Sequence, residues 1–287
     1  MRAVRLASTV VTAAVLLGAV TACGSKGNDA KSADIKDVAA QGGGDPVAAA
    51  LAGDPKAALA ASALVMQKAG NGKVTMSSPD GSAHNAGSGD ADWKNPSKMA
   101  VDLTGDMEAG KKVKIRLIGA DVYVGPGDGA AAAAALGGKH WVKLPASNEM
   151  GSSFLVVGQM VNPVAQLTLA AQGGKLSKVG QEAVDGVQTT HLRAVEETAT
   201  LVAGMSSLTP EQRASVQKVL EEDGKTLTVD FWLNAKQELV QYSEYGDKNG
   251  EKDAVIIKYS GLGSAAKIEA PAAGDLGNEA DVLKLFG

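Results

Sequence analysis

The stretch Lys112-Val113-Lys114-Ile115-Arg116-Leu117 decides the fold, because apolar and basic residues alternate strictly along it. Successive side chains of a β-strand point to opposite faces, so this stretch predicts a strand with one buried and one solvated face. Similar alternation predicts strands at Met99–Leu103, Leu227–Leu233 and Val255–Tyr259. Shorter runs add four candidate strands: Val74–Ser77, Val122–Val124, Trp141–Leu144 and Val187–Leu192. Short turn sequences such as Lys248-Asn249-Gly250 separate the runs, which favours an antiparallel meander with one wet face.

Helices are predicted from their start signals. Asp54-Pro55 places an N-cap before a first-turn proline and predicts a helix that ends at Gly70. Thr209-Pro210 repeats this pair, and Gln212 completes a capping box. Strands and helices together predict an α+β fold.

The segment from Met150 to Gly174 contains no charged residue. Asn162-Pro163 ends one helix in it, Phe154–Val161, and begins another, Val164–Ala171. One interpretation is a helical hairpin buried against the sheet, and the other is a pair of helices that lines or closes an apolar ligand cavity. The two interpretations are compatible.

The first residues read as a secretory signal. Arg2 and Arg5 precede an uncharged run, Leu6–Val20, and the only cysteine of the chain, Cys23, follows small residues. This arrangement resembles the bacterial lipobox, in which the cysteine is lipidated and becomes the first mature residue. The run has about 15 residues, short of the roughly 20 that span a bilayer, so we expect a lipid anchor on the extracytoplasmic face of the cell membrane.

Composition divides the rest of the chain into a tether and a folded part. Gly24–Gly44 is rich in Gly, Ser, Lys, Asp and Ala and poor in large apolar residues, so it is predicted to be a flexible tether. About 21 such residues have a root-mean-square span of roughly 25 Å. The predicted organisation is a signal peptide at 1–22, a lipidated cysteine and tether at 23–44, and one domain at 45–287.

The sequence gives little support to catalysis, metal binding or nucleic-acid binding. The chain has a formal net charge of −4, without the basic surface that nucleic acids require. The three histidines, His84, His140 and His191, are far apart and lack metal-ligand spacing. His191 could join Asp185 and a serine in a triad, but a nucleophile elbow is missing, and a hydrogen-bonded structural histidine is the simpler interpretation. We expect no enzyme activity, cofactor or metal.

Three stretches carry a resemblance to a family: Val179–Leu192, Gly137–Lys143 and Val229–Asn234. They resemble the actinobacterial lipoproteins of the LppX and LprG group, over about Asp45 to Ala270. The resemblance implies a curved antiparallel half-barrel wrapped over several helices, as in LolA-like carriers, with an apolar cavity for acyl chains. No catalytic residue of that family exists to be transferred.

The predicted function is to bind or shuttle a lipid, a glycolipid or another apolar ligand at the membrane, with lipidated Cys23 as the anchor. The expected cavity-lining residues come from two strands and the charge-free helices: Val113, Ile115, Leu117, Val229, Phe231, Leu155 and Met160. The alternative is an envelope sensor or assembly factor that binds a protein partner through the same half-barrel.

Overall fold

Strands and helices alternate in long blocks along the chain. The structure, a computed structural model, describes residues 53–79, 86–95, 98–106, 112–127, 133–145, 149–205, 208–282 and 285. The strands are β1 (Asn71–Ser77), β2 (Gly87–Asp92), β3 (Ala100–Asp106), β4 (Lys112–Ile118), β5 (Asp121–Pro126), β6 (Trp141–Leu144), β7 (Lys175–Val184), β8 (Val187–Glu197), β9 (Thr226–Asn234), β10 (Leu239–Gly246), β11 (Val255–Ser260) and β12 (Leu276–Gly277). The α-helices are α1 (Pro55–Ala69), α2 (Glu149–Met160), α3 (Pro163–Gly173), α4 (Thr198–Gly204) and α5 (Pro210–Glu222). The predicted signal peptide, Cys23, the tether and His84 lie outside the described residues.

All twelve of these strands belong to one open sheet, in the order β12-β6-β5-β4-β3-β2-β1-β11-β10-β9-β8-β7. Strands β1 to β6 form one antiparallel meander and β7 to β11 a second. The pairing of β1 with β11 joins them, with Val74 opposite Tyr259. The sheet is not closed, because β12 and β7 are its two ends. The predicted α+β class with an antiparallel half-barrel sheet is confirmed, and the parallel pairing of β12 with β6 is an addition.

The alternation that predicted β4 is realised in the structure. Val113 and Leu117 are buried, whereas Lys112 and Lys114 are exposed on the outer face. Arg116, also on that face, donates from Nε to Asp102 Oδ2 at 3.1 Å and lies 4.5 Å from the ring centre of Trp141. Its charge is therefore balanced within the protein.

The helices begin where their caps predict. Asp54 accepts a hydrogen bond from Lys56 N at 3.0 Å, and Asn162 accepts one from Ala165 N at 3.1 Å. Thr209 and Gln212 form the reciprocal capping box, with distances of 2.9 and 3.2 Å. These bonds satisfy backbone N–H groups that the first helical turn leaves without partners.

The helices cover the inner face of the sheet. Helix α1 packs on α3, while α2 packs on α5 and on strands β4 and β5. Trp93, directly after β2, is fully buried and donates from Nε1 to the carbonyl of Met66 at 2.7 Å. This bond joins helix α1 to the end of β2. Tyr259 of β11 donates to the carbonyl of Val161 at 3.5 Å, between α2 and α3.

The charge-free helical pair is bent rather than continuous. Within the described part of the chain, no single helix is long and apolar enough to cross a membrane. Only the segments Ser153–Met160 and Pro163–Gly173 together meet the criteria of length and composition, across a bend of 80°. Leu155, Val161 and Leu167 are buried, so the predicted packing of the pair against the protein core is observed.

The sequence pattern did not indicate five elements: β2, β7, β10, β12 and α4. β2 is made of Gly, Ser, Asp and Ala, and it lies so close to β3 that a Cβ atom on Gly89 would be 1.9 Å from the carbonyl oxygen of Asp102. β7 is an edge strand with a register shift between Lys178 and Gly180. β10 has a register shift between Leu239 and Gln241, which breaks the alternation. Helix α4 is short and has no side-chain cap.

We expect Phe231→Ala to lower the free energy of unfolding by about 3–5 kcal/mol, because it leaves a void in a packed core. The Phe231 ring is fully buried and contacts Tyr242 edge to face, with ring centres 5.6 Å apart. Urea unfolding measures the change. Val179→Ala, on the exposed edge strand, is the control and should stay within about 0.5 kcal/mol of the parent. Equal effects of the two substitutions would contradict this placement of the core.

Candidate functional site

A cavity of about 560 Å³ lies between helices α2 and α5 and strands β9, β10 and β11. We call it the α2–α5 cavity. Helix α2 contributes Ser153, Val156, Val157 and Met160, which the helical repeat places on one face. The charge-free hairpin packs in the core, and its first helix, α2, also lines this cavity.

The lining of the cavity changes from apolar to polar. Its apolar wall consists of Val156, Val157, Met160, Val219, Leu220, Leu227 and Val255. Its mouth consists of the exposed lining residues Asp223, Asn249, Lys252 and Asp253. Polar and apolar residues contribute to the lining in similar measure, so the cavity can contact both the polar and the apolar part of a small molecule.

Glu244 is a buried carboxylate in the lining of this cavity. It belongs to β10 and lies opposite Val229 of β9, on the face of the sheet that forms the core. Tyr242 donates its hydroxyl hydrogen to Glu244. Burial raises the pKa of Glu244 to about 7, and the charges of Asp223 and Glu196 add to that rise, although the bond from Tyr242 opposes it.

A second buried carboxylate, Glu196, lies on the same face of the sheet. It is 4% exposed, and its Oε1 atom has no hydrogen-bond partner among the described residues. Burial raises its pKa as well. Buried groups of this kind are costly and are usually paired, so the inner face of β8 to β10 is more polar than a simple core requires.

Asp223 brings a carboxylate to the mouth from the end of helix α5. Partial desolvation raises its pKa, and the nearby Asp253 and Glu222 raise it further. A negative group at a helix C-terminus opposes the helix dipole. Lys248 compensates in part, because its ammonium group donates to the carbonyl of Glu222 at 3.0 Å.

The structure brings one of the seven predicted lining residues to this cavity, namely Met160. Leu117 and Leu155 meet at a smaller space of about 20 Å³ between α2 and strands β3 and β4. The other four belong to the hydrophobic core and line neither space: Val113, Ile115, Val229 and Phe231. Their predicted role toward a ligand stays a prediction.

His191 lies on the outer face of the sheet, away from the cavity. Its Nε2 atom is 2.9 Å from Asp230 Oδ1, and its Nδ1 atom is 2.8 Å from Glu182 Oε1. Arg193 binds both oxygens of Asp230, at 2.7 and 2.8 Å. The ring of Trp232 stacks on the imidazole at 4.3 Å and covers it.

This cluster has the contacts of a structural histidine. Burial acts to raise the pKa of Asp230, but the hydrogen bonds from His191 and Arg193 outweigh it and lower the pKa. Asp185, the acid considered for a triad, binds Lys258 instead, at 2.7 and 2.9 Å. Among the described residues, no group of three or more His, Cys, Asp and Glu side chains is placed to hold a metal ion.

No protein-family model matches the chain. An uncharacterised 31.2 kDa protein from the rplA–rplJ intergenic region of Streptomyces griseus is 34% identical over 183 residues, which cover 61% of this chain. The chain spans 59% of the length of that relative.

The chain resembles the mycobacterial lipoproteins LprF and LppX. Mycobacterium bovis LprF aligns with 77% of this chain and 98% of its own, at 14% identity and a TM-score of 0.48. Mycobacterium tuberculosis LppX aligns with 75% of this chain and 100% of its own, at 18% identity and a TM-score of 0.46. The predicted resemblance is confirmed as a likeness of fold, and the ligand has to be inferred from the cavity itself.

Sequence reasoning missed Glu244 and Asp223 as site residues. Glu244 was missed because it is a polar residue at an inward position of β10, and a pattern of period two identifies only apolar inward positions. Asp223, in contrast, did leave a signal in the sequence. The acidic run Glu221-Glu222-Asp223 at the end of a helix is electrostatically unfavourable, and the structure places it at the cavity mouth.

We expect the stability of the protein to fall as the pH rises from about 4.5 to about 7, and Glu244→Gln to reduce that fall. A raised pKa means that the folded state holds the proton more tightly than the unfolded chain does. The stabilisation is complete below the ordinary pKa of 4.5 and is lost as the pH passes about 7. The rise in the pKa of Glu244 from 4.5 to about 7 corresponds to a change of roughly 3 kcal/mol at most in the free energy of unfolding.

Urea unfolding at several pH values, compared between the parent and the variant, measures this contribution. Glu197→Gln, an exposed position at the end of β8, is the matched control and should keep the full pH dependence of the parent. If Glu244→Gln and Glu197→Gln both follow the parent curve, Glu244 does not titrate as described.

Proposed function

We propose that this protein is a lipid-anchored extracytoplasmic protein that binds a lipid or another apolar molecule in the α2–α5 cavity without changing it chemically. One observation supports this most directly: Val156, Val157 and Met160 of helix α2, which are part of or packed against the hydrophobic core, also form an apolar wall of this solvent-accessible space. About 560 Å³ lies within the usual range of ligand pockets.

Binding would be driven by burial of hydrocarbon against the apolar wall. Each buried methylene contributes about 0.8 kcal/mol, so a chain of several methylenes supplies useful affinity without any specific polar contact. The polar mouth would then keep the head group at the solvent side. A site of this kind holds a molecule and releases it, and it needs no nucleophile or metal.

The proposed anchor fits this role. A lipidated Cys23 and a flexible tether of about 21 residues would hold the cavity within tens of ångströms of the membrane surface, from which an apolar ligand would be taken. The search for the ligand would then be confined to a thin layer at that surface.

The first test blocks the cavity. We expect Val157→Trp to reduce the amount of co-purifying or added lipid at least fivefold, because an indole would occupy the space beside Met160. Native mass spectrometry of the full chain carrying Cys23→Ser, after gentle purification, counts the bound ligand. Val179→Trp adds the same bulk at a half-exposed position of β7 and should leave lipid binding unchanged.

Circular dichroism and the unfolding midpoint show whether Val157→Trp still folds. If the variant is folded and binds as much lipid as the parent, the α2–α5 cavity is not the binding site. If the parent chain never carries or accepts a lipid, the proposed function is wrong.

The second test addresses the anchor. We expect Cys23→Ser to abolish incorporation of radiolabelled palmitate and to move most of the protein out of the membrane fraction, because the thiol is the only acylation site in the proposal. Ser25→Ala, two residues away in the tether, should leave both labelling and fractionation unchanged. Continued labelling of Cys23→Ser would exclude this cysteine as the anchor.

A further inference from the structure

The lining of the α2–α5 cavity has an excess of carboxylates that come from three separate elements. Asp223 follows helix α5, Glu244 belongs to β10, and Asp253 lies in the connection from β10 to β11. Lys252 is the one basic residue in the described lining. An arrangement assembled from three elements differs from a run of acidic residues on one exposed loop, because the fold itself brings the charges to one place.

The carboxylates act on one another, and Lys248 offsets part of this effect at Asp223. Asp253 raises the pKa of Asp223, and Asp223 in turn raises the pKa of Glu244. Tyr242 is the donor to Glu244, and within the described part of the chain none of the three carboxylates is within 4.0 Å of a lysine or arginine nitrogen. Mutual repulsion of this kind is relieved when a hydrogen-bond donor or a cation enters.

Glu244 strengthens this point because it is inside the cavity rather than at its rim. It is 6% exposed and has four lone-pair positions when ionised, of which Tyr242 occupies one. It lines the cavity together with Leu227 and Val255 of the apolar wall. Its remaining lone-pair positions would accept hydrogen bonds from a donor on a ligand in this space.

We infer that the ligand of this cavity is an amphiphile whose polar end donates hydrogen bonds and carries no negative charge, that is, a hydroxyl or an ammonium group. Its apolar part would lie along Val156, Val157 and Met160, and its polar end would meet Glu244, Asp223 and Asp253. The inference rests on the proposed function, since it assigns a head group to the same cavity. An anionic head group, such as a fatty-acid carboxylate or a phosphate, would be repelled there.

Three ligands with the same hydrocarbon chain test the head group alone: oleyl alcohol, oleylamine and oleate. Each competes with the neutral fluorescent probe N-phenyl-1-naphthylamine on the full chain carrying Cys23→Ser, at a slightly alkaline pH. We expect the alcohol or the amine, or both, to bind at least tenfold more tightly than oleate. The alcohol arm and the amine arm distinguish a hydroxyl from an ammonium head group.

Removing the negative charges at the mouth should then reduce the preference for oleyl alcohol over oleate. We expect Asp223→Asn combined with Asp253→Asn to improve binding of oleate at least threefold relative to oleyl alcohol. Asp106→Asn removes one negative charge at the exposed end of β3, outside the described cavity lining, and should leave the ratio unchanged. The asparagine side chains preserve size, and the urea midpoint verifies folding.

The outcomes separate this inference from the function on which it rests. If all three ligands bind equally, or oleate binds best, the head-group inference is overturned and the apolar cavity stands. If none of the three displaces the probe or binds directly in native mass spectrometry, the cavity does not take such ligands and the proposed function fails. The comparison of the three ligands on the protein with intact Asp223 and Asp253 tests the head-group inference even if the double variant does not fold.

Discussion

The pairing of β1 with β11 is the interaction on which the rest of the molecule depends. It joins two antiparallel meanders, each stable only with a covered face, into one sheet of twelve described strands. The helices lie in the connections from β6 to β7 and from β8 to β9, and α1 precedes β1. All five therefore meet on the same side of a sheet that they do not fill completely, and the α2–α5 cavity is the part left open.

Strand β10 shows how the protein departs from an ordinary core at this place. Its inward positions carry Tyr242 and Glu244, where neighbouring strands carry Phe231 and Val229. A buried carboxylate with one donor costs stability, and an apolar residue of similar size would serve a purely structural role better. The cost is consistent with a position kept for contact with another molecule, since stability and function commonly oppose each other at binding sites.

The sequence predicted those elements whose local signals agree with the tertiary structure. Strict alternation identified β4, and side-chain caps identified α1 and α5 to within a residue or two. It failed where tertiary contacts override local preference, as in the Gly- and Asp-rich β2, whose close approach to β3 excludes larger residues at Gly89. For the site, Met160 was among the predicted lining residues and lies in the α2–α5 cavity, whereas Glu244 was not predicted, because periodicity identifies only apolar residues on the inner face.

The long edge strand β7 has a consequence for contacts between copies of this protein. Ten residues of edge backbone form a template on which a second sheet could grow. The register shift between Lys178 and Gly180 interrupts that template, and Lys175 and Lys178 place charges along the edge. Both features make pairing between two β7 strands less favourable, which matters most where copies are held close together, as the proposed anchor would hold them.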